Sequence, residues 1–162
     1  MIALFIGRFQ PLHKGQYRAI RQLKKKYRPV IGIGSSEKMN TFDNPLSFSE
    51  RRQLFNACLP GFRTFPLPDQ DDDSDWVANV ADTVSFNVIV TGSEHTQHCF
   101  RNEGYTVEEP STFREETYSG TNVRTLAADG DSGWRELVPG DTIDLLEQFN
   151  FVERMQRFSP PA

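Results

Sequence analysis

The chain predicts an α/β fold, a doubly wound parallel sheet followed by a helical C-terminal tail. Two observations carry that expectation. Residues 2–6 are a continuous apolar run, and residues 30–34 and 86–90 read as further short, mostly apolar segments, as strands buried on both faces require. Segments of helical period separate them over most of the chain, and right-handed crossovers then place helices on both faces of one sheet. The first strand ends at Gly7, and a loop leads into a helix expected over 14–27, with Ile20, Leu23 and Tyr27 on one face and Tyr17 beside them. Pro29 marks the start of the second strand. Ser47, with Glu50 three residues on, forms a capping box for a helix over 47–58. Residues 62–67 read as a strand, 75–84 as a helix with Trp76, Val77, Val80 and Ala81 on one side, and 94–102 as a helix stopped by Gly104. Residues 105–107 form a short edge strand, 120–128 a helix, and 142–149 and 152–158 the tail helices.

At 162 residues, with 37% hydrophobic and 12% aromatic content, the chain is expected to form a single domain over residues 1–162 with its own core. No apolar run approaches the roughly 18 residues that span a bilayer, and Met1 leads straight into a strand without a signal-peptide pattern. Cys58 and Cys99 read as reduced, core-facing thiols of a cytoplasmic protein. The formal charge of −4 hides an asymmetry: residues 1–36 hold eight Lys or Arg and no acid, while residues 69–75 hold five acids. The Lys24-Lys25-Lys26 run sits at a helix end, where cations offset the dipole, and a pI near 5.4 leaves no broad basic face for nucleic acid.

Ligands of open parallel sheets bind beyond the carboxyl ends of the strands, and two loops carry suitable chemistry there. Gly7-Arg8-Phe9-Gln10-Pro11-Leu12-His13-Lys14-Gly15-Gln16 joins a buried strand to a helix N-terminus, whose free N–H groups and positive dipole end favour an anion. Arg8, His13 and Lys14 add donors, and Gly7 and Gly15 permit close backbone approach. Tyr118-Ser119-Gly120-Thr121-Asn122-Val123-Arg124 is a second helix start of the same character. Taken singly, each also suits an ordinary turn, since Ser-Gly-Thr is a common N-cap composition.

Together they resemble the nucleotidylyltransferase superfamily with His-x-Gly-His and Ser-x-Thr-x-x-Arg signatures, and more specifically the archaeal-type nicotinamide mononucleotide (NMN) adenylyltransferases. Gly32-Ile33-Gly34-Ser35, Asn44-Pro45, Ser49-Glu50-Arg51, Trp76-Val77, Gly92 and Glu103-Gly104-Tyr105 match in order and spacing over residues 2–157. The resemblance implies a Rossmann-like fold, transfer of AMP from ATP to NMN to give NAD and pyrophosphate, Mg²⁺ with the ATP, and a homo-oligomer. It assigns His13, Arg8, Lys14, Gln16 and Arg124 to catalysis, and Gly7, Phe9, Gln10, Gly15, Ser119, Gly120 and Thr121 to ATP. Asp73, Trp76, Gly92 and Ser93 fall to NMN.

Three positions depart from the family pattern. Gln16 replaces the second motif histidine; an amide donates a hydrogen bond but carries no charge, which predicts slow turnover. Asp73 stands where the family has Asn, and Ser93 where Asn follows the glycine. The remaining acids Asp71, Asp72 and Asp75 read as a solvated loop. These departures leave open a different phosphorylated acceptor, or a catalytically weak nucleotide-binding protein. His95, His98 and Cys99 share a helix, but no carboxylate has matching sequence spacing, so no metal site is expected. There is no G-x-S-x-G elbow for a Ser-His-Asp hydrolase.

Overall fold

The computed structural model describes residues 1–158, so the last four residues of the expected domain lie outside the described residues. Packing divides the chain into two compact units. The first comprises Met1–Arg8, Ala19–Ser36 and Phe62–Ser111; the second comprises Phe9–Arg18, Glu37–Gly61 and, among the described residues, 112–158.

The first unit holds a five-stranded, fully parallel sheet. Its strands are β1 (Ile2–Gly7), β2 (Arg28–Gly34), β3 (Thr64–Leu67), β4 (Val88–Val90) and β5 (Val107–Glu108), in the order β3-β2-β1-β4-β5. Leu4 pairs with Val30 on one side and Ile89 on the other, which brings branched apolar side chains into register. These residues, with Ile6 and Leu67, pack on Val77 and Val80 of α3 (Asp73–Thr83) and on Cys99 and Phe100 of α4 (Glu94–Asn102). Gly32 leaves room for the buried Leu67 side chain, because a Cβ there would lie 2.5 Å from Leu67 Cδ1 and force it to shift. Alternate residues Ala3, Phe5, Ile31, Ile33, Val88 and Val90 are buried as well, as expected of a sheet flanked by helices.

Helix α1 (Lys14–Leu23) is shorter than the sequence suggests. Lys24-Lys25-Lys26 instead form a turn, with the Lys26 and Tyr27 N–H groups both on the Leu23 carbonyl. Pro29 disfavours helix at Arg28, where β2 begins, and the Tyr27 hydroxyl bonds Glu108. Helix α3 begins earlier than expected. Asp72 is its N-cap, accepting from the Asp75 N–H at 3.0 Å, so Asp72 and Asp75 serve a helix start rather than a solvated loop.

The second unit contains α2 (Phe48–Cys58), α5 (Gly120–Ala128), α6 (Ile143–Gln148) and α7 (Phe151–Phe158). Its core joins Leu46, Leu54, Val123, Ala127, Leu146 and Met155 around Trp134, whose ring meets Phe151 edge-on at 5.4 Å. Trp134 lies in a 3₁₀ helix at Ser132–Glu136, too short to show a periodic pattern in sequence. The capping box of α2 is formed: Glu50 N–H donates to Ser47 Oγ, and Ser47 N–H donates to Glu50 Oε1. No helix among the described residues is long and apolar enough to cross a membrane.

Candidate functional site

The strand order reverses direction between β1 and β4, the topological switch point at which open α/β sheets bind ligands. Phe5 of β1 pairs with Val90 of β4, so Gly7-Arg8 and Gly92-Ser93 leave the sheet from adjacent strand ends. Arg8 is exposed there. The β4–α4 connection is pinned from beneath: Gln97 Nε2 donates to the Thr91 carbonyl at 2.8 Å, and both residues are buried. Ser93 caps α4, accepting from the Thr96 N–H at 3.2 Å. Trp76 on α3 is half-buried, edge-on against Phe100 at 5.4 Å. Asp73, one turn before Trp76, is exposed, and its carboxylate lies 3.4 Å from His95 Nε2.

The second unit contains both phosphate-type helix starts. At α1, His13 and Gln16 cap each other. The Gln16 N–H donates to His13 Nδ1 at 3.3 Å, and the His13 N–H donates to Gln16 Oε1 at 3.2 Å. This is a capping box made from a histidine and a glutamine. Acceptance at Nδ1 leaves the neutral imidazole with its proton on Nε2. Burial, and then the Arg124 guanidinium, push His13 down from 6.5 to about 4. In the unliganded protein His13 is therefore a neutral donor at pH 7. The Lys14 N–H is held by the Leu137 carbonyl at 2.8 Å, so the Gly15 N–H is the helix-start donor these contacts do not engage. Gly15 fits closely beside the folded-back imidazole: a Cβ would lie 3.1 Å from two ring atoms and 3.2 Å from Tyr118 Cβ, so the ring or Tyr118 would have to give by a few tenths of an ångström.

At α5, Ser119 is the N-cap, accepting from the Asn122 N–H at 3.1 Å, while Thr121 is exposed. Arg124 is buried one turn inside. Its Nη1 donates to the Gln10 carbonyl at 2.9 Å and its Nη2 to Thr121 Oγ1 at 3.3 Å, tying the two loops together. Gly120 makes room for that guanidinium, because a Cβ would lie 2.8 Å from Nη1.

The site residues thus differ in the surfaces they offer. Gln10 is buried, and both ends of its amide pair with the Leu46 backbone at 2.8 Å, so it braces the loop. Phe9 is buried edge-on against Phe55 at 4.7 Å, with φ at 55°, a strained conformation for a non-glycine residue. Lys14, Gln16, Ser119, Gly120 and Thr121 remain at least partly accessible. Sequence reading missed Asn122, whose Nδ2 donates to the Glu116 and Thr117 carbonyls at 2.9 Å and so shapes the approach to Ser119. It also missed a stack in which Arg18 lies 3.8 Å from the Phe113 ring centroid and Phe113 stacks on Tyr118. The Asn122 bonds close a local turn of five to six residues that has no periodic signature, whereas the approach of Arg18 to Phe113 depends on long-range placement.

Sequence spacing offers His95 and Cys99 no carboxylate, but the fold brings Asp73 to them, and ligand atoms of all three lie within 4.8 Å of one another. Helix packing, which spacing does not encode, supplies the third group.

Residues 4–126 match the cytidylyltransferase-like family. The nicotinamide-nucleotide adenylyltransferase of Ignicoccus hospitalis is 34% identical over 168 residues, covering 98% of each chain. That of Methanococcus maripaludis strain C6 is 33% identical over 165 residues, covering 98% of this chain and 96% of its own. The crystal structure of a bifunctional NMN adenylyltransferase/ADP ribose pyrophosphatase from Francisella tularensis aligns with a TM-score of 0.74 at 22% identity. The alignment covers 97% of this chain and 52% of that one, so the chain spans about half of that protein, and the likeness is one of fold.

Proposed function

The chain belongs to the cytidylyltransferase-like family and, within it, to the nicotinamide-nucleotide adenylyltransferases, and on that premise we propose that it transfers AMP from ATP to NMN. An oxygen of the NMN 5′-phosphate attacks the α-phosphorus of ATP in line. A new P–O bond forms, the bond to the bridging oxygen of the β-phosphate breaks, and pyrophosphate leaves with NAD as product. Such chemistry needs positioning and compensation of negative charge rather than a covalent enzyme intermediate.

The observation that supports this reading best is the pair of helix starts tied through Arg124 and the Gln10 carbonyl. We assign the triphosphate to the Gly15, Gly120 and Thr121 N–H groups, the Ser119 and Thr121 hydroxyls, Lys14, and Gln16 Nε2. Arg8, leaving β1, serves the α-phosphate. His13 donates from Nε2 as a neutral group, and a bound polyanion favours its protonation. Arg124 supplies charge and holds the two loops in place. Trp76 is assigned to the face of the cationic nicotinamide and Asp73 to its carboxamide NH₂, with Gly92 and Ser93 beside the same group.

Residues 7–18 and 117–125 contain no carboxylate. That donor set fits a divalent ion carried by the triphosphate rather than one caged by protein. Mg²⁺, which keeps several waters and takes phosphate oxygens, is the ion we assign; it would neutralise phosphate charge. A cytoplasmic homo-oligomer accompanies this reading, and light scattering measures the assembly. The direct test is incubation with ATP, NMN and Mg²⁺: stoichiometric NAD and pyrophosphate are expected. ATP binding without product, or product only with a different phosphorylated acceptor, overturns the assignment.

A further inference from the structure

Asp73, His95 and Cys99 lie outside the phosphate-binding loops, and α3 and α4 bring them together from distant positions in the chain. His95 and Cys99 are four residues apart on one face of α4, and Asp73 is the first residue of α3. A single atom, His95 Nε2, faces both partners, 3.6 Å from Cys99 Sγ and 3.4 Å from Asp73 Oδ1. These separations can be compared with a tetrahedral ion. With Zn–S about 2.3 Å and Zn–N and Zn–O about 2.0–2.1 Å, tetrahedral angles put S and N about 3.5 Å apart and N and O about 3.3 Å apart. The observed distances match both. The side chains of His95 and Asp73 are 71% and 61% exposed, which gives an ion an entry path and leaves a fourth position to water. Cys99 is buried beneath them.

We propose that Asp73, His95 and Cys99 form a three-ligand site for a borderline-soft divalent cation of the zinc class, with water completing a tetrahedron. Thiolate, imidazole and carboxylate together select such an ion over Mg²⁺, which takes oxygen ligands. Binding moves the Cys99 thiol proton to solvent and replaces it with the metal–sulfur bond, with no change of oxidation state. Burial and the neighbouring Asp73 charge hold that thiol protonated when no ion is present, and the cation offsets both. The ion also occupies the carboxylate assigned above to nicotinamide, so it competes with NMN; this second step rests on the proposed function.

Co²⁺ added to the reduced, metal-free full chain tests the site. The expected result is the visible absorption of a four-coordinate ion with a near-ultraviolet thiolate charge-transfer band, both bleached by Zn²⁺. Cys99→Ser loses the charge-transfer band. His95→Gln, a change at an exposed position, keeps the fold by circular dichroism and weakens Zn²⁺ binding by at least about 10–100-fold. A wild-type spectrum lacking the thiolate band, or a His95→Gln titration matching the wild type, means the three groups form a hydrogen-bonded cluster only and overturns the site. Competition is measured separately, as a severalfold rise in KM for NMN with Zn²⁺ that His95→Gln abolishes. An unchanged KM beside an intact cobalt spectrum overturns the competition and leaves the site standing.

Discussion

Gln16 and His13 hold each other at the start of α1, and that contact changes what the glutamine means. Its Oε1 accepts from the His13 N–H at 3.2 Å, so the side chain caps a helix and keeps Nε2 for a ligand. A histidine at the same position can accept from that N–H through Nδ1 and direct Nε2–H outward, adding charge when a polyanion binds. A charge-assisted bond is about twice as strong as a neutral one, and a donor that acts mainly on the transition state is worth about 10²–10³ in rate. Gln16→His is therefore expected to raise kcat by about 10–100-fold, with little change in stability because the cap survives. Steady-state kinetics beside a thermal melt separate the two effects, and an unchanged kcat sinks this reading of Gln16. The substitution was plain in the sequence. The reciprocal cap was less so, because a His-x-x-Gln pair is not the usual Ser/Thr-x-x-Glu composition.

Elements with strong local chemistry at their ends were legible. Helices α4 and α5 have the bounds the sequence predicts, because Ser93 and Ser119 cap them and Gly104, at φ 85°, stops the chain just beyond α4. Helix α1 was overextended because Tyr27 keeps the helical period while its N–H and hydroxyl serve a turn and Glu108. The Ser47–Glu50 box was legible too, but its partner was not. Arg154 of α7 grips Glu50 with two nitrogens, at 2.6 and 3.0 Å, and donates to the Pro45 carbonyl at 2.6 Å. The two side chains of this pair are 13% and 21% exposed, so the charges are well shielded from water. Glu50→Ala removes the reciprocal cap bond and leaves Arg154 without its carboxylate, a loss of about 2–4 kcal/mol. Glu50→Gln keeps the cap geometry and recovers about 1 kcal/mol of that. Urea unfolding of both variants measures the difference; a Glu50→Ala loss under about 0.5 kcal/mol means the pair contributes as an exposed one.

For the molecule as a whole, strand order was the least legible feature, because pairing β1 with both β2 and β4 is a choice among long-range contacts that each strand's composition leaves open. The approach of Asp73 to His95 and Cys99 has the same origin. Whole-molecule stability against acid, in contrast, follows from named groups. His13 titrates at about 4 in the folded protein against 6.5 ordinarily, through burial first and the Arg124 charge second. Between those values the unfolded chain holds a proton that the folded chain does not, so stability falls as pH drops through this window and levels off below it. The shift caps the loss at about 3 kcal/mol. Glu50 acts later. Burial raises its carboxyl, but the Arg154 hydrogen bond and the Ser47 N–H outweigh that and hold it below 4.5. Its contribution is complete above 4.5 and is lost as pH falls through the lower folded value. Acid unfolding is therefore expected in two stages, the first set by an imidazole at pH values where carboxylates are still ionised. His13→Asn, which preserves a cap acceptor, should flatten urea-derived stability between pH 6.5 and 5 and leave the steeper fall below it. ATP should also flatten that first stage in the wild type, because a bound triphosphate raises the His13 pKa toward its unfolded value. A wild-type profile already flat from pH 7 to 5 would falsify the neutral, half-buried His13 assigned above as a donor to the phosphates.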